Sequence, residues 1–166
     1  MKKSVKWVLV VLIIGVLTSF IEKNRLTYGL EVGDLAPDFC FRSADAERDI
    51  DLSDLRGHRV LISFWASYDA TSRMQNIGLS RAVNRNTNDS LLWVSVSFDE
   101  YNSVFSETVS RDGITPYVCF AETEGSQSAL YSKYDLRKGF GNYLLDERGV
   151  IVAKNVRPSE LTAYKN

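Results

Sequence analysis

The chain has 166 residues, 45% of them hydrophobic and 25% charged, with a formal net charge of −1. This is the balance of a folded domain and excludes a disordered or low-complexity chain. Residues 1–25 hold five basic side chains and one acidic one, so the remainder carries −5. A mildly acidic domain without a Lys/Arg block is a poor match for a phosphate backbone, so nucleic acid is not an expected partner.

Lys2, Lys3 and Lys6 open the chain, and Val5 to Ile21 is almost wholly apolar. These 17 residues lie near the lower limit for crossing ~30 Å of hydrocarbon at ~1.5 Å per residue. The run is long for a secretory signal, and no clean small-x-small cleavage frame surrounds Ser19. Residues 1–21 are therefore expected to be a signal anchor or a signal peptide. Positive residues before the run place the rest outside the cytoplasm, in the cell envelope, membrane-anchored or secreted. Residues 22–31 are polar and mixed, an expected linker, and residues 32–166 suit one domain with one core.

Phe39 and Phe41 alternate with Cys40, as in a short strand, and Ile50 with Leu52 suggests a second one across a polar turn. Ser53 to Gly57 reads as one helical turn ended by glycine. Arg59 to Trp65 is nearly continuously apolar, the pattern of a central strand covered on both faces. A helix is expected from about Asp69 to Asn86, with Asp69 as N-cap and Met74, Ile77 and Ala82 inward. Leu91 to Phe98 is a second strong strand. Asp99 is expected to cap a helix to about Arg111, with Val104, Phe105 and Val109 inward and Asp112-Gly113 as its stop. Pro116 to Phe120 reads as a strand and Ser126 to Tyr134 as helical. Tyr143-Leu144-Leu145 and Val150-Ile151-Val152 form a hairpin around Asp146 to Gly149. Pro158 to Tyr164 suits a last turn or two. Strands and helices alternate and a hairpin closes the domain, which predicts an α/β layer with a mixed sheet.

Four motifs now stand in order: Pro37-Asp38-Phe39, Leu52 to Gly57, Phe64-Trp65-Ala66-Ser67, and Tyr143 to Asp146 followed by Gly149. Over residues 32–160 this series resembles the membrane-anchored, thioredoxin-like thiol-disulfide oxidoreductases of the TlpA/ResA type, and more distantly the AhpC/TSA peroxiredoxins. The resemblance implies a thioredoxin fold with an N-terminal β-hairpin and an inserted strand-helix unit. It also locates the family's reactive landmarks. Asp69 falls on the attacking cysteine, Ser72 on the resolving cysteine, Tyr68 on a tryptophan before them, and Phe140 on the cis-proline. The resemblance thus implies that Asp69, Ser72 and Phe140 are vestigial active-site positions. Trp65, Tyr68 and Phe140 are expected to cluster around them as a candidate binding surface.

Thiol-disulfide exchange needs an attacking thiolate and a second thiol that resolves the mixed disulfide. Asp69 keeps a charge at the helix start but has no sulfur, and Ser72 is a poor nucleophile without a base. His58, the single histidine, lies a strand length from Asp69, which excludes a hydrolytic triad. The two thiols, Cys40 and Cys119, make no C-x-x-C or metal-ligand spacing. Each sits among apolar residues, so buried inert thiols are the default expectation. A structural disulfide in an oxidising compartment and a redox-active role are the alternatives. No catalytic residue, metal or cofactor is expected. The function expected is a redox-inactive, thioredoxin-like module that binds an envelope protein or peptide and is tethered to the membrane by its N-terminal segment. The alternative is an oxidoreductase or antioxidant protein using Cys40 or Cys119.

Overall fold

The computed structural model describes residues 26–42, 49–85 and 91–164. Residues 1–21, read as the targeting segment, lie outside the described residues, as does most of the polar turn after Arg42. No helix among the described residues is long and apolar enough to cross a membrane.

Strands β1 (Cys40–Arg42) and β2 (Asp49–Asp51) form an antiparallel hairpin. The main sheet holds β3 (Arg59–Trp65), β4 (Leu91–Ser97), β5 (Val118–Ala121), β6 (Asn142–Leu145) and β7 (Ile151–Lys154) in the order β5-β4-β3-β6-β7. The pairs β3/β4 and β4/β5 are parallel, whereas β3/β6 and β6/β7 are antiparallel. Helix α1 (Ala70–Asn84) joins β3 to β4, and α2 (Asn102–Asp112) joins β4 to β5. The short α3 (Ala129–Lys133) lies before β6. The expected mixed α/β sheet is therefore present, with both strong strands where the apolar runs placed them. Residues 26–31, the described part of the expected linker, run back along this domain. The Gly29 N–H donates to the Leu35 carbonyl, the Leu35 N–H donates to the Thr27 carbonyl, and Glu31 pairs with Lys154.

Side chains alternate across a strand, and β3 uses both faces. Val60, Ile62 and Phe64 join one core with the hairpin's Phe39 and Phe41, Leu52, Leu55, Tyr134 and Leu136. Leu61 and Trp65 join a second core with Leu79 of α1, Trp93, and Phe105 and Val109 of α2. This explains why β3 reads as a continuous apolar run rather than an alternating one.

The face of α1 departs from the expected stripe. Its buried residues are Ser72, Asn76, Leu79 and Ser80. Met74 is 66% exposed, while Ile77 and Ala82 pack only partly against the second core. In place of an apolar stripe, α1 docks through hydrogen bonds. The Trp93 indole donates to Ser63 Oγ at 2.9 Å, and Ser63 Oγ donates to Asn76 Oδ1 at 2.8 Å. Asn76 Nδ2 and the Trp65 indole donate to Ser95 Oγ at 3.2 and 3.0 Å. All five side chains are buried, and Ser63 and Ser95 are register partners across β3 and β4. Helix α2 begins at Asn102, after Tyr101, so the expected cap at Asp99 is not made. Val104 faces solvent rather than the core. Gly113 ends α2 at φ 64°, in the left-handed region.

Replacing Asn76 with alanine strands the Ser63 hydroxyl proton and opens a hole beneath α1. A loss of about 2–3 kcal/mol in unfolding free energy is expected, measured as a lower urea midpoint with unchanged slope.

Candidate functional site

The site lies at the carboxyl ends of the parallel strands β3 and β4, the side of an open α/β sheet where ligands commonly bind. Trp65 ends β3, and the chain turns through Ala66, Ser67 and Tyr68 into α1. Asp69 is the N-cap of α1. Its Oδ1 accepts the Ser72 N–H at 2.7 Å, while Ser72 Oγ donates to the Asp69 carbonyl at 3.3 Å. The Ala66 N–H reaches Ser72 Oγ at 3.4 Å. Asp69 and Ser72 thus occupy one helical turn, side by side, and bond each other. Ser72 is buried, and its hydroxyl is taken up by backbone.

Asp99 holds this turn from the end of β4. Its Oδ1 accepts the Ser67 N–H at 3.0 Å and Ser67 Oγ at 2.6 Å, and its Oδ2 accepts Ser97 Oγ at 2.7 Å. Asp99 is itself buried. The sequence pattern misassigned it as a helix cap. The signal that could have found its role is Ser67 and Ser97, two hydroxyl donors at the ends of adjacent parallel strands.

Tyr68 is 71% exposed, and its ring meets Phe140 edge-on with centroids 6.4 Å apart. Phe140 stacks on Phe98 at 5.7 Å and contacts Tyr131 at 6.4 Å. No cis peptide bond occurs among the described residues, so Phe140 is trans. The Gly141 carbonyl next to it accepts the Phe64 N–H at 2.9 Å, which ties the Phe140 loop to β3. Partial burial pushes the Tyr68 phenol above its ordinary pKa, and Tyr131, Asp99, Glu100 and Asp69 push it the same way. Trp65 does not belong to this surface. It is 0% exposed, because position 65 faces the second core, where its ring meets Phe105 at 6.4 Å. Tyr101 and Val104, both exposed, border Tyr68 across a cleft instead; Val104 is thus not inward as helical spacing predicts, and no local pattern marks Tyr101.

The thiols are elsewhere. Phe41 and Phe120 stack at 5.9 Å, so alternation turns Cys40 and Cys119 away from that contact in their strands. Cys40 then faces solvent and is exposed, which corrects the expectation that it is buried. Cys119 lies on the same face of the sheet as its register partner Ser95. Burial pushes its thiol up to about 12, against a hydrogen bond with Ser95 that lowers it. Cys119 is a free thiol, so the Cys40–Cys119 disulfide is not formed. His58 is exposed at the start of β3, at the opposite end of that strand from Asp69. Among the described residues no group of three His, Cys, Asp or Glu side chains is placed to hold a metal ion.

A five-stranded mixed sheet, an N-terminal hairpin, and a helix start poised after the central strand define a thioredoxin-like protein. The AhpC/TSA family matches residues 32–154, and the chain belongs to that family. A thioredoxin-like protein from Parabacteroides distasonis is 42% identical, with a TM-score of 0.73 over 84% of this chain and 98% of that one. The thioredoxin-like protein YneN of Bacillus subtilis is 24% identical over 91% of this chain and 88% of its own length. The thioredoxin domain of a Bacteroides vulgatus thiol-disulfide oxidoreductase shares the fold, at 20% identity and TM-score 0.72 over 83% of this chain and 100% of that domain.

Two outcomes follow from the first turn of α1. Asp69 and Ser72 already touch, so Asp69→Cys with Ser72→Cys is expected to close a disulfide on mild oxidation, read by thiol titration and mass. A pair that stays reduced counts against the register. Second, Arg73 grips Asp112 with two bonds of 2.6 and 2.7 Å, fastening α1 to the end of α2. The guanidinium holds the Asp112 carboxyl below its ordinary range. Its stabilisation is fully present above the unfolded carboxylate value of ~3.9 and is lost as pH falls through the lower folded value. Asp112→Asn is expected to cost about 1–2 kcal/mol at neutral pH, and the gap from the parent is expected to close in urea melts below about pH 4.

Proposed function

We propose that this protein is a redox-inactive, thioredoxin-like envelope module that binds a polypeptide segment at the surface formed by Tyr68 and Phe140. The observation that carries the reading is the fate of the helix start. Where the resemblance puts the attacking and resolving thiols, Asp69 accepts the Ser72 N–H at the start of α1 and its carbonyl takes the Ser72 hydroxyl. The turn therefore lacks the sulfur that exchange requires, yet Asp99 still holds it rigid and the exposed Tyr68 ring, packed against half-buried Phe140, borders it. A rigid platform with exposed rings suits recognition, since aromatic anchors supply large contact area at low entropy cost. The envelope location rests on Lys2, Lys3 and Lys6 before the apolar run from Val5 to Ile21. Inside the membrane-facing compartment the domain would be presented to its partner by that segment.

Exposure of Cys40 favours a second reading, an oxidoreductase working through that thiol. Cys119 suits it poorly, because a thiol held up near 12 supplies almost no thiolate at neutral pH.

Insulin reduction by the full-length chain with a dithiol reductant separates the two. No turnover above background is expected; turnover that disappears in Cys40→Ser would establish the second reading and remove the first. Binding is read with a library of extended peptides on the full-length chain in mild detergent. Tyr68→Ala and Phe140→Ala are each expected to weaken the best binders roughly tenfold, the effect of losing one aromatic anchor worth about 1.4 kcal/mol. Unchanged affinity in both variants would remove this surface from consideration.

A further inference from the structure

A cleft opens beside Tyr68, between the β3–α1 turn and the β4–α2 turn. It is lined by Ser67, Tyr68, Asp99, Glu100, Tyr101 and Val104. Two of its rings stand in solvent, Tyr68 at 71% and Tyr101 at 68% exposed, and Val104 adds a third apolar wall. Its charge is of one sign. The ionised groups acting on the Tyr68 phenol are the carboxylates of Asp99, Glu100 and Asp69. Asp99 and Asp69 are engaged by Ser67, Ser97 and Ser72. Glu100 is exposed, and none of the ion pairs among the described residues includes it. The guanidinium on the first turn of α1, Arg73, is consumed by Asp112.

We infer that the cleft seats a lysine or arginine side chain of the bound segment, with its stem across Val104 and the two tyrosine rings and its charged head at Glu100. This rests on the peptide-binding reading above and adds the chemical class of the residue recognised. An acidic side chain would meet the like charges of Glu100 and Asp99. A purely apolar one would strip water from Glu100 and return no partner. A basic side chain alone satisfies both parts of the wall. Its methylenes cover apolar surface while its head stays at a carboxylate, and a cation over a tyrosine face gains a further electrostatic attraction. The two loops are held in register by the bonds from Asp99 to Ser67, so the rings and the carboxylate are presented on one rigid frame.

The test uses the full-length chain in mild detergent and one labelled nine-residue peptide with leucine flanks. Its central residue is lysine, arginine, norleucine or glutamate, and binding is read by fluorescence anisotropy at low and high salt. Lysine and arginine are expected to bind about 5–10-fold tighter than norleucine at low salt, with glutamate weakest, the gap narrowing as screening increases. Glu100→Gln combined with Tyr101→Ala, both at exposed positions, is expected to abolish the lysine–norleucine gap while norleucine binding persists. Equal binding of lysine and norleucine by the parent protein overturns the inference and leaves the peptide-binding reading standing. A lysine preference that survives in the double variant also overturns it, and assigns the attraction to the domain's overall negative charge. No binding of any of the four peptides overturns the inference and the peptide-binding reading together.

Discussion

The carboxamide of Asn76 lies between Ser63 of β3 and Ser95 of β4, and much else hangs on that placement. Helix α1 has little apolar stripe with which to find its seat, since Ser72, Asn76 and Ser80 hold its buried face. A helix docked by greasy contact alone can slide by a fraction of a turn at small cost. One docked by a carboxamide inserted between two serine hydroxyls, themselves bonded to two buried indoles, has a single low-energy position. All of these groups are buried, so leaving any of them unpaired would carry its full desolvation penalty, which is what makes the position strict. The same bonds fill the donors of Trp65 and Trp93, so the two largest side chains of the second core are fixed as well.

A fixed α1 fixes its N-terminus, and that is where the chemistry of the fold would stand. The first turn is over-determined by Asp69 capping Ser72, by Arg73 gripping Asp112, and by Asp99 drawing the preceding turn onto β4. In a dithiol protein, rigidity at this point sets the approach of two sulfurs. Here the same rigidity displays Tyr68 against Phe140 and Tyr101 beside Glu100. The aromatic contacts run inward without a break, from Tyr68 through Phe140 and Phe98 to Phe64 and Tyr134. The exposed end of that series is thus backed by the first core, and a partner's side chain would meet a stiff wall.

The parts of the fold legible in the sequence were those written in local patterns. The apolar runs at Arg59 to Trp65 and Leu91 to Phe98 are strands because both faces are covered, and the cap preference of Asp69 marks the start of α1. Three misreadings share one cause. Met74, Asp99 and Val104 were assigned by helical periodicity or by cap preference, but burial in α1 and α2 is set by what lies opposite. Opposite α1 are two serines and two indoles, so a polar stripe is buried and Met74 is left outside. Opposite Asp99 are the hydroxyls of Ser67 and Ser97, better partners than the free N–H groups of a helix that starts three residues further on. Cys40 was placed inside by its phenylalanine neighbours; alternation about the Phe41–Phe120 stack turns it out.

The sequence by itself determined the succession of strands and helices, the resemblance to a thioredoxin-like domain and the absence of a thiol at Asp69 and Ser72, because spacing and residue identity are properties of the chain alone. Tertiary structure decided which aromatic residues meet solvent. Trp65, Tyr68, Tyr101 and Phe140 lie on separate loops and strand ends, and only their packing sends Trp65 into the core and brings the other three to one surface. The carboxylates around that surface come from the ends of two strands that pair in space. Their shared charge, and the basic side chain it would select, arise from that pairing.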